Sequence, residues 1–247
     1  MNGFLRSLTV MLVLIGLWQG LILLFHPAPY LFPAPWDVFK TLLTQSALIG
    51  QQLLPTLIEI VTGLVLGVAL GMGLALILCH SKTLYTFVFP LLLISQALPI
   101  FAIAPLLVVW LGYGLQAKIF TTMLMLFFPV ANNLLTGLKE TPAEYLDMAK
   151  LMNASERQQL WQIRFPASLP KLAAGIRLAT TFAPLGAIIS EWVGSSQGLG
   201  FLLLSANAQM KIDLMFTVLF VLVCLSLTLY FLVNKLLLFF LTWPFEK

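Results

Sequence analysis

The stretch TPAEYLDMAKLMNASERQQLWQIRFP, residues 141–166, is the longest polar interval in a chain that is otherwise almost entirely apolar. The whole chain contains 13 Lys and Arg residues and 9 Asp and Glu residues. Six of these charges lie in this one interval, namely Glu144, Asp147, Lys150, Glu156, Arg157 and Arg164. A segment with this much charge is expected to face water or a partner protein.

The first half of the interval predicts a short amphipathic helix. TPAE at 141–144 fits a capping box, with Thr141 as the N-cap and Pro142 at the first helical position. One apolar face contains Tyr145, Met148, Ala149 and Met152, and the charged Glu144, Asp147 and Lys150 lie away from it. The helix is therefore expected to begin at Pro142 and to have one apolar and one charged side.

The second half of the interval predicts another short helix. Asn153 stands where a left-handed residue often ends a helix, and SERQ at 155–158 fits a second capping box. Two helices joined by a tight turn at Asn153-Ala154 are therefore expected. The second helix should end at Phe165-Pro166, because the residue before a proline disfavours the helical conformation.

The composition of the whole chain indicates a membrane protein. Of its 247 residues, 60% are hydrophobic and 9% are charged, and the mean hydropathy is +1.01. Several continuous runs of about 20 apolar residues match the length of a membrane-spanning helix. The net charge of +4 does not suggest nucleic acid as a partner. Cys79 and Cys224 stand apart, with no CxxC motif and no ligand cluster, so neither a disulfide nor a metal site is indicated.

The sequence predicts a single all-α membrane domain with six spans. The spans cover about 8–25, 55–78, 85–111, 118–138, 170–190 and 214–241, and the polar loop is 139–168. Residues 26–54 are expected to form an external loop and an interfacial helix, and residues 191–213 a second external loop. Ten Lys and Arg residues fall on the side of the termini, and three (Lys40, Lys118 and Lys211) fall on the other. The positive-inside rule then places both termini and the polar loop in the cytoplasm.

Small residues and prolines mark the places where spans are expected to contact one another or to line a path. Gly63, Gly67 and Gly71 recur every fourth residue in the second span, which lets another helix approach closely. The third span contains Pro99 and Pro105, and each removes a helical hydrogen bond. Such breaks are tolerated in a membrane where the backbone lines a cavity or packs on protein.

No catalytic motif is recognisable in the sequence, which lacks HExxH, a Walker lysine and a nucleophile elbow. Two acids stand near the predicted membrane boundary: Glu59 early in the second span and Glu191 at the outer end of the fifth. Each is either a solvated or paired interfacial carboxylate or a functional group, since ionisable residues within membranes often have a function. For Glu59 the solvated or paired interpretation is preferred, and for Glu191 both stay open.

The polar interval also has two interpretations. An amphipathic hairpin lying on the membrane surface would account for its apolar face. However, an anionic leaflet would repel the acidic edge formed by Glu144 and Asp147. Docking into the groove of a partner protein would use the same apolar face without this repulsion, so docking is the preferred interpretation.

The pattern of the interval resembles the EAA loop of binding-protein-dependent ABC transporter permeases. In that loop EAA is followed by three residues, a glycine, nine residues, isoleucine, one residue and LP. DMA at 147–149, Asn153 and IRFP at 163–166 have the same spacing, although DMA replaces EAA, Asn153 replaces the glycine and Phe165 replaces the leucine. Asparagine tolerates a left-handed turn, so the turn is expected to survive.

Further stretches resemble the nitrate, sulfonate and taurine branch of these permeases, and the likeness covers nearly the whole chain. They are FPAP at 32–35, LPIFAIAPL at 98–106, FP at 128–129, PASLP at 166–170, and Glu191 followed by GLG at 198–200. Within the branch, SAN at 205–207 and DLMF at 213–216 resemble permeases for the pyrimidine precursor of thiamine.

The resemblance implies a type I ABC importer permease of the bacterial inner membrane that works by alternating access. The implied partners are a second copy of the chain, two cytoplasmic ATPases that bind ATP and magnesium, and a periplasmic or lipid-anchored substrate-binding protein. The chain itself would hold no cofactor and would not be an enzyme. Coupling to the ATPase is expected at Glu144, Asp147, Ala149, Lys150, Asn153, Ala154, Ser155, Ile163 and Pro166. The expected translocation path includes Pro99, Pro105, Asn132, Asn133, Glu191 and Trp192.

Two other classes of protein compete with this interpretation. An ion-coupled secondary transporter would need coupling groups at the midplane and usually has internal repeats, and neither is evident in the sequence. A membrane enzyme or a non-transport assembly protein would need a polar reactive cluster, and none is evident in the sequence.

Overall fold

The structure is a computed structural model that describes residues 3–28 and 30–240. Its elements in chain order are α1 (Gly3–Phe25), α2 (Pro35–Thr44), α3 (Ser46–His80), α4 (Lys82–Ala97), α5 (Ile100–Leu111), α6 (Leu115–Lys139), α7 (Ala143–Leu151), α8 (Glu156–Gln159), a π turn (Leu160–Arg164), α9 (Phe165–Trp192), α10 (Leu199–Ala208) and α11 (Ile212–Phe240). The described residues therefore form the all-helical architecture that the sequence predicts.

Four of the described helices are long and apolar enough to cross a membrane: α3, α6, the continuous helix Glu156–Trp192, and α11. A fifth span is obtained when α4 and α5, which meet at a bend of 99°, are counted together. The sixth expected span, 8–25, falls on α1, where Ile15–Phe25 is a shorter apolar helix. The described residues therefore support the membrane class with four or five spans, and the sixth span stays a prediction. Residue 241, the end of the last expected span, lies outside them.

Several helix boundaries differ from the prediction. The second span was expected at 55–78, but α3 begins at Ser46 and accommodates Pro55 within the helix. The expected external loop 191–213 contains α10, because Leu199, Leu202 and Ala206 are buried in an apolar cluster shared with α11. A helix is present in the expected segment 26–54 as α2, and its position at the membrane interface stays a prediction.

The bend between α4 and α5 interrupts the third expected span. Leu98 and Pro99 have extended backbone, with ψ values of 122° for both, and Pro99 is the N-cap of α5. Pro105, by contrast, lies inside α5 without ending it. Of the two prolines, Pro99 therefore marks the place where the chain changes direction.

Helices α3, α6 and α9 pack around one another in the centre of the fold. A Cβ atom built on Gly63 would lie 2.6 Å from Thr122 Cγ2, and one built on Gly67 would lie 2.9 Å from Leu126 Cβ. Both partners belong to α6, so the small residues of α3 allow α6 to approach closely. The same apolar core also contains buried Ile60, Leu64, Val130, Leu134, Leu138, Leu172, Ala179, Ala183 and Ala187.

Candidate functional site

A sharp turn separates α7 from α8. Asn153 has a φ of 56°, in the left-handed region that asparagine tolerates better than most residues. The amide of Asn153 donates to the carbonyl of Lys150 at 2.9 Å, and the amide of Ala154 donates to the carbonyl of Ala149 at 2.9 Å. These bonds close the end of α7, as the sequence pattern predicted for Asn153-Ala154.

The helix that follows begins with the predicted capping box. Ser155 Oγ accepts a hydrogen bond from the amide of Gln158 at 3.3 Å, and Gln158 Oε1 accepts one from the amide of Ser155 at 2.8 Å. Two amides that the helix itself cannot satisfy are thereby paired. The turn and the cap together fix the direction in which the chain leaves α7.

The predicted capping box at 141–144 is wrong. The first helical residue is Ala143, the N-cap is Pro142, and Pro142 makes no side-chain capping bond. Thr141 is buried, and its hydroxyl donates to the carbonyl of Leu138 at 3.3 Å. Thr141 therefore satisfies a carbonyl at the end of α6 instead of an amide at the start of α7.

The predicted end of the second helix at Phe165-Pro166 is also wrong. One helix runs without a break from Glu156 to Trp192. The π turn makes this possible, because the amide of Phe165 donates to the carbonyl of Leu160, one residue farther back than in an α-helix. Pro166 is the second residue after this π turn and lies inside the continuous helix.

An apolar groove lies between α7 and the start of α9, and we call it the α7 groove. It has a volume of about 480 Å³, and its walls include Tyr145, Met148, Met152, Ile163 and Pro166. Met148 is 63% exposed and Met152 is 77% exposed. Flexible methionine side chains are typical of adaptable protein-binding surfaces. The α7 groove is therefore a candidate docking surface.

The charged residues expected to take part in coupling are exposed on α7. Glu144, Asp147 and Lys150 all face solvent. Lys150 Nζ lies 2.8 Å from Asp147 Oδ1, an exposed pair that contributes little to stability. Ala149 is buried and lines the α7 groove, and Ser155 is exposed at the start of α8. The helix thus presents charges beside an apolar groove.

A second group of polar side chains lies at the far end of α6 and α9 from this loop. We call Thr56, Glu59, Lys118, Ser190 and Glu191 the distal polar cluster. Glu59 is fully buried, Lys118 Nζ lies 2.7 Å from its Oε1, and Ser190 Oγ donates to its Oε2 at 3.2 Å. Glu59 is therefore a paired carboxylate, but it lies inside the helix packing and not at a solvated interface.

Glu191 holds the turn that leads into α10. Its carboxylate accepts hydrogen bonds from Thr56 Oγ1 at 2.6 Å and from the amide of Gly200. Thr56 Oγ1 in turn accepts from the amide of Leu199 at 2.8 Å. Gly198 has a φ of 113°, and a Cβ atom there would overlap the Glu191 carboxylate. The glycine at 198 is thus required by both its backbone conformation and the buried carboxylate beside it.

A cavity of about 820 Å³ adjoins the distal polar cluster. Lys118 lines this cavity together with Pro55, Tyr113 and Gln197. The Lys118 side chain is 12% exposed, and its ammonium also donates to the carbonyl of Gln197 at 3.4 Å. Lys118 therefore connects a buried carboxylate to an open space. Relative movement of α3, α6 and α9 at this end must strain or break charge-assisted hydrogen bonds.

The residues expected on the translocation path are spread over α5, α6 and α9. Pro99 and Pro105 are exposed, and Trp192 is 48% exposed at the end of α9. Asn133 donates from Nδ2 to the carbonyl of Pro129 at 2.8 Å, and its Cβ faces Gly175 of α9. Asn132 is half-buried on α6, and Glu191 belongs to the distal polar cluster. Asn133 and Glu191 thus take part in packing between helices.

Sequence analysis did not identify Thr56, Lys118 or Ser190 as site residues. Their partners lie far away in sequence, with 59 positions between Lys118 and Glu59 and 131 between Ser190 and Glu59. One feature of the sequence could have indicated the ion pair between Lys118 and Glu59. Lys118 and Glu59 are opposite charges near the outer ends of the fourth and second expected spans.

The family match and the similar proteins agree on one family of membrane transport proteins. The family described as binding-protein-dependent transport system inner membrane component matches residues 63–240. A probable ABC transporter permease protein of Haemophilus influenzae is 46% identical over 233 residues, which cover 94% of this chain and 95% of that protein. The formylaminopyrimidine transport permease protein ThiX of Halalkalibacterium halodurans is 37% identical over 174 residues, 70% of each chain.

A solved structure supports the fold. The inward-facing MetNI methionine ABC transporter contains a chain that aligns with a TM-score of 0.70 and 20% identity, covering 78% of this chain and 96% of that one. At this identity the similarity concerns the arrangement of helices alone.

Proposed function

Since this chain belongs to the family of binding-protein-dependent transport system inner membrane components, we propose that its loop 139–168 docks on a cytoplasmic ABC ATPase and that its substrate is a thiamine pyrimidine precursor. The chain is the permease subunit of an ABC importer. The observation that carries the docking proposal is the exposed α7 groove beside the turn at Asn153.

The α7 groove has the chemistry of a protein-docking surface. Met148 and Met152 are too exposed to stabilise the isolated chain, and each fully buried methionine would contribute about 1.5–3 kcal/mol to docking. The neighbouring charges of Glu144, Asp147 and Lys150 would orient the partner, because electrostatic complementarity supplies specificity more than affinity. A lipid surface would not match this edge, since Glu144 forms no ion pair within the described residues that would neutralise its charge.

A cysteine placed at Ala154 tests the docking. The experiment starts from a transporter in which Cys79 and Cys224, the two cysteines of the chain, are replaced by serine. Ala154→Cys should then form a disulfide or a short crosslink with the ATPase in the assembled complex. Lys40→Cys is the matched control, because Lys40 is exposed on α2 and is expected on the opposite side of the membrane.

The crosslink supports the proposal only if it forms in the assembled complex and at the coupling-loop position. Ala154→Cys should react with the ATPase subunit and Lys40→Cys should not. Failure of Ala154→Cys to crosslink in a complex that still hydrolyses ATP would exclude docking at this turn.

The proposed assembly contains two copies of this chain, two ATPases and an extracytoplasmic substrate-binding protein. ATP-driven closure of the ATPases would move α7 and α8, and the spans would tilt to expose the path alternately to each side. Both termini would lie in the cytoplasm, as the distribution of Lys and Arg predicts. Mass measurement of the purified complex would test the stoichiometry.

The proposed substrate is a hydroxymethyl- or formylaminopyrimidine. Support comes from the 37% identity with a relative named as a formylaminopyrimidine transport permease and from the segments 205–207 and 213–216. Other relatives are named for riboflavin, at 33% identity, and for taurine, at 28% identity. Riboflavin, sulfonate, taurine and nitrate are therefore the alternatives to be compared.

The ligand carried by the copurified substrate-binding protein tests the substrate. Mass spectrometry of the ligand released on denaturation should find a pyrimidine with an amino or hydroxymethyl group. Recovery of a flavin, a sulfonate or nitrate would replace this assignment and leave the docking proposal intact.

The distal polar cluster gives a specific reason to test ion coupling as well. Two buried carboxylates, Glu59 of α3 and Glu191 of α9, lie beside Lys118 at the start of α6, and such groups can serve proton-coupled transport. Transport into vesicles should persist when an uncoupler collapses the proton gradient at constant ATP. Loss of transport under that condition would favour a secondary transporter.

A further inference from the structure

A pocket on the coupling-loop side has the charge and shape of an anion site. It has a volume of about 610 Å³ and lies between α7, the end of α3, the start of α4 and the first turns of the helix that begins at Glu156. We call it the basic pocket, and its charged lining consists of Lys82, Lys150, Arg157, Arg164 and Glu156. We propose that the basic pocket binds the phosphate group of an anionic phospholipid.

Arg164 is the centre of this inference. Its Nε is buried and has no hydrogen-bond partner among the described residues, and its Nη1 donates to Cys79 Sγ at 3.7 Å. Thiol sulfur is a weak acceptor, and none of the described carboxylates forms an ion pair with Arg164. Leaving a buried donor unpaired costs about 1–3 kcal/mol, so a rotation of the half-buried Arg164 side chain that brought its guanidinium to an acceptor in the pocket would be favourable.

A phosphate matches the donors that the pocket presents. The planar guanidinium of Arg164 can donate to two phosphate oxygens at once. Lys82 and Arg157 are exposed and form no ion pair within the described residues, so their charges are available. Lys150 is already paired with Asp147, and Glu156 is the carboxylate in the lining. The pocket therefore has an excess of positive charge.

The surroundings favour a lipid as the source of the phosphate. Cys79 lies in the last turn of the apolar helix α3, and Lys82 begins α4, so the pocket lies where spans end. Along α4, Leu84, Phe87, Leu91 and Ile94 follow at helical spacing and are 44–72% exposed. This stripe offers a surface for an acyl chain directly after the charged residue. Trp161, in the pocket lining, is an aromatic residue of the kind found at membrane interfaces.

The inference needs only a membrane-embedded chain and does not depend on the docking of an ATPase. Basic pockets between spans attract anionic lipid head groups because the phosphate charge is neutralised at short range. Occupation of the basic pocket would also fix Arg164 in the π turn, two residues before Pro166.

Lipid binding to the full-length permease, purified with its ATPase, tests the inference. Native mass spectrometry would compare phosphatidylglycerol with phosphatidylcholine of the same acyl chains. The unmodified protein should bind phosphatidylglycerol more tightly. Arg164→Gln and Lys82→Gln should each weaken that binding about fivefold, the effect of removing one charge near an anionic lipid. The binding of phosphatidylcholine should not change.

Lys171→Gln is the matched control. Lys171 is about half exposed, forms an ion pair with Glu140 and does not line the basic pocket, so its loss should leave lipid binding unchanged. Equal binding of phosphatidylglycerol by the unmodified protein and by Lys82→Gln would overturn the proposal, since Lys82 is exposed and its replacement should not disturb folding.

A second arm distinguishes lipid from free phosphate. Millimolar inorganic phosphate should displace little phosphatidylglycerol, because it lacks the acyl chains that contact α4. Complete displacement would overturn the lipid assignment in favour of a soluble anion. If the two variants lowered ATPase retention and left lipid binding intact, the pocket would belong to a protein contact and the proposal would fail.

Discussion

Replacing Lys118 by methionine is expected to destabilise the permease more than replacing its partner Glu59 by glutamine. Glu59 and Lys118 form one ion pair with a distance of 2.7 Å. They differ in which other hydrogen-bond partners and how much solvent each can reach once its partner is removed. Glu59 is fully buried and would keep only the hydroxyl of Ser190 as a donor side chain. Lys118 faces the cavity and could turn its ammonium toward water or the carbonyl of Gln197.

The magnitude follows from this difference in burial. Breaking a buried ion pair by removing one partner costs about 3–5 kcal/mol, and the 12% exposure of Lys118 favours the lower end, about 3 kcal/mol. Replacing Glu59 by neutral glutamine should cost about 1 kcal/mol, the value of an ordinary hydrogen bond. For a chain of this size, about 2–4 °C of Tm corresponds to each kcal/mol. Lys118→Met should therefore lower Tm by about 6–12 °C and Glu59→Gln by about 2–4 °C.

The shifts in Tm are measured by heating the purified transporter in detergent to a series of temperatures. Size-exclusion chromatography then gives the fraction that is still folded at each temperature. The double variant Lys118→Met/Glu59→Gln no longer has a buried carboxylate at position 59 without its cation, so it should be more stable than Lys118→Met alone. If the two single variants were equally stable, or if their effects simply added in the double variant, the account of this ion pair would be refuted.

Three further substitutions test other features. Gly67→Leu should lower the yield of folded permease at least severalfold, because a Cβ atom at 67 would already lie 2.9 Å from Leu126 of α6. Gly73→Leu is the control and should not lower the yield, because nothing lies within 4 Å of a Cβ atom there. Equal yields of the two variants would contradict the close packing of α3 on α6. Asn153→Val places a β-branched residue at a φ of 56°, which costs about 1–2 kcal/mol of folding free energy. This variant should reduce ATP-driven uptake into proteoliposomes, whereas Asn153→Gly should retain it. Full uptake by the valine variant would show that transport does not need this turn. Gly198→Ala should collide with the Glu191 carboxylate and lower Tm by more than Gly73→Ala, and identical Tm values would show that the turn has another basis.

Features that depend on neighbouring residues could be predicted from the sequence. The turn at Asn153 and the cap at Ser155 need groups no more than five positions apart, and the sequence pattern contains them all. The two errors in the same region also have local causes. Thr141 had a second possible partner at the end of α6, and the π turn allowed a helix to pass Pro166.

The distal polar cluster could not be predicted in the same way. The hydrogen bond between Thr56 and Glu191 spans 135 positions, and it forms only because α3 and α9 both pack beside α6. The sequence indicated that Glu191 was either functional or paired, but it did not indicate which residue would meet it. Tertiary packing, and not local pattern, decides this pairing.

One continuous helix, Glu156–Trp192, connects the α7 groove with the distal polar cluster. At 1.5 Å per residue its 37 residues extend over roughly 55 Å. One end follows the turn at Asn153, and the other carries Ser190 and Glu191. A pivot of about 10° around its middle would move each end by roughly 5 Å, as far as about one helical turn. A displacement of the loop would therefore be transmitted along one helix to the buried carboxylate. The π turn and the hydrogen bonds missing at Pro170 and Pro184 set how much of that displacement is absorbed by bending.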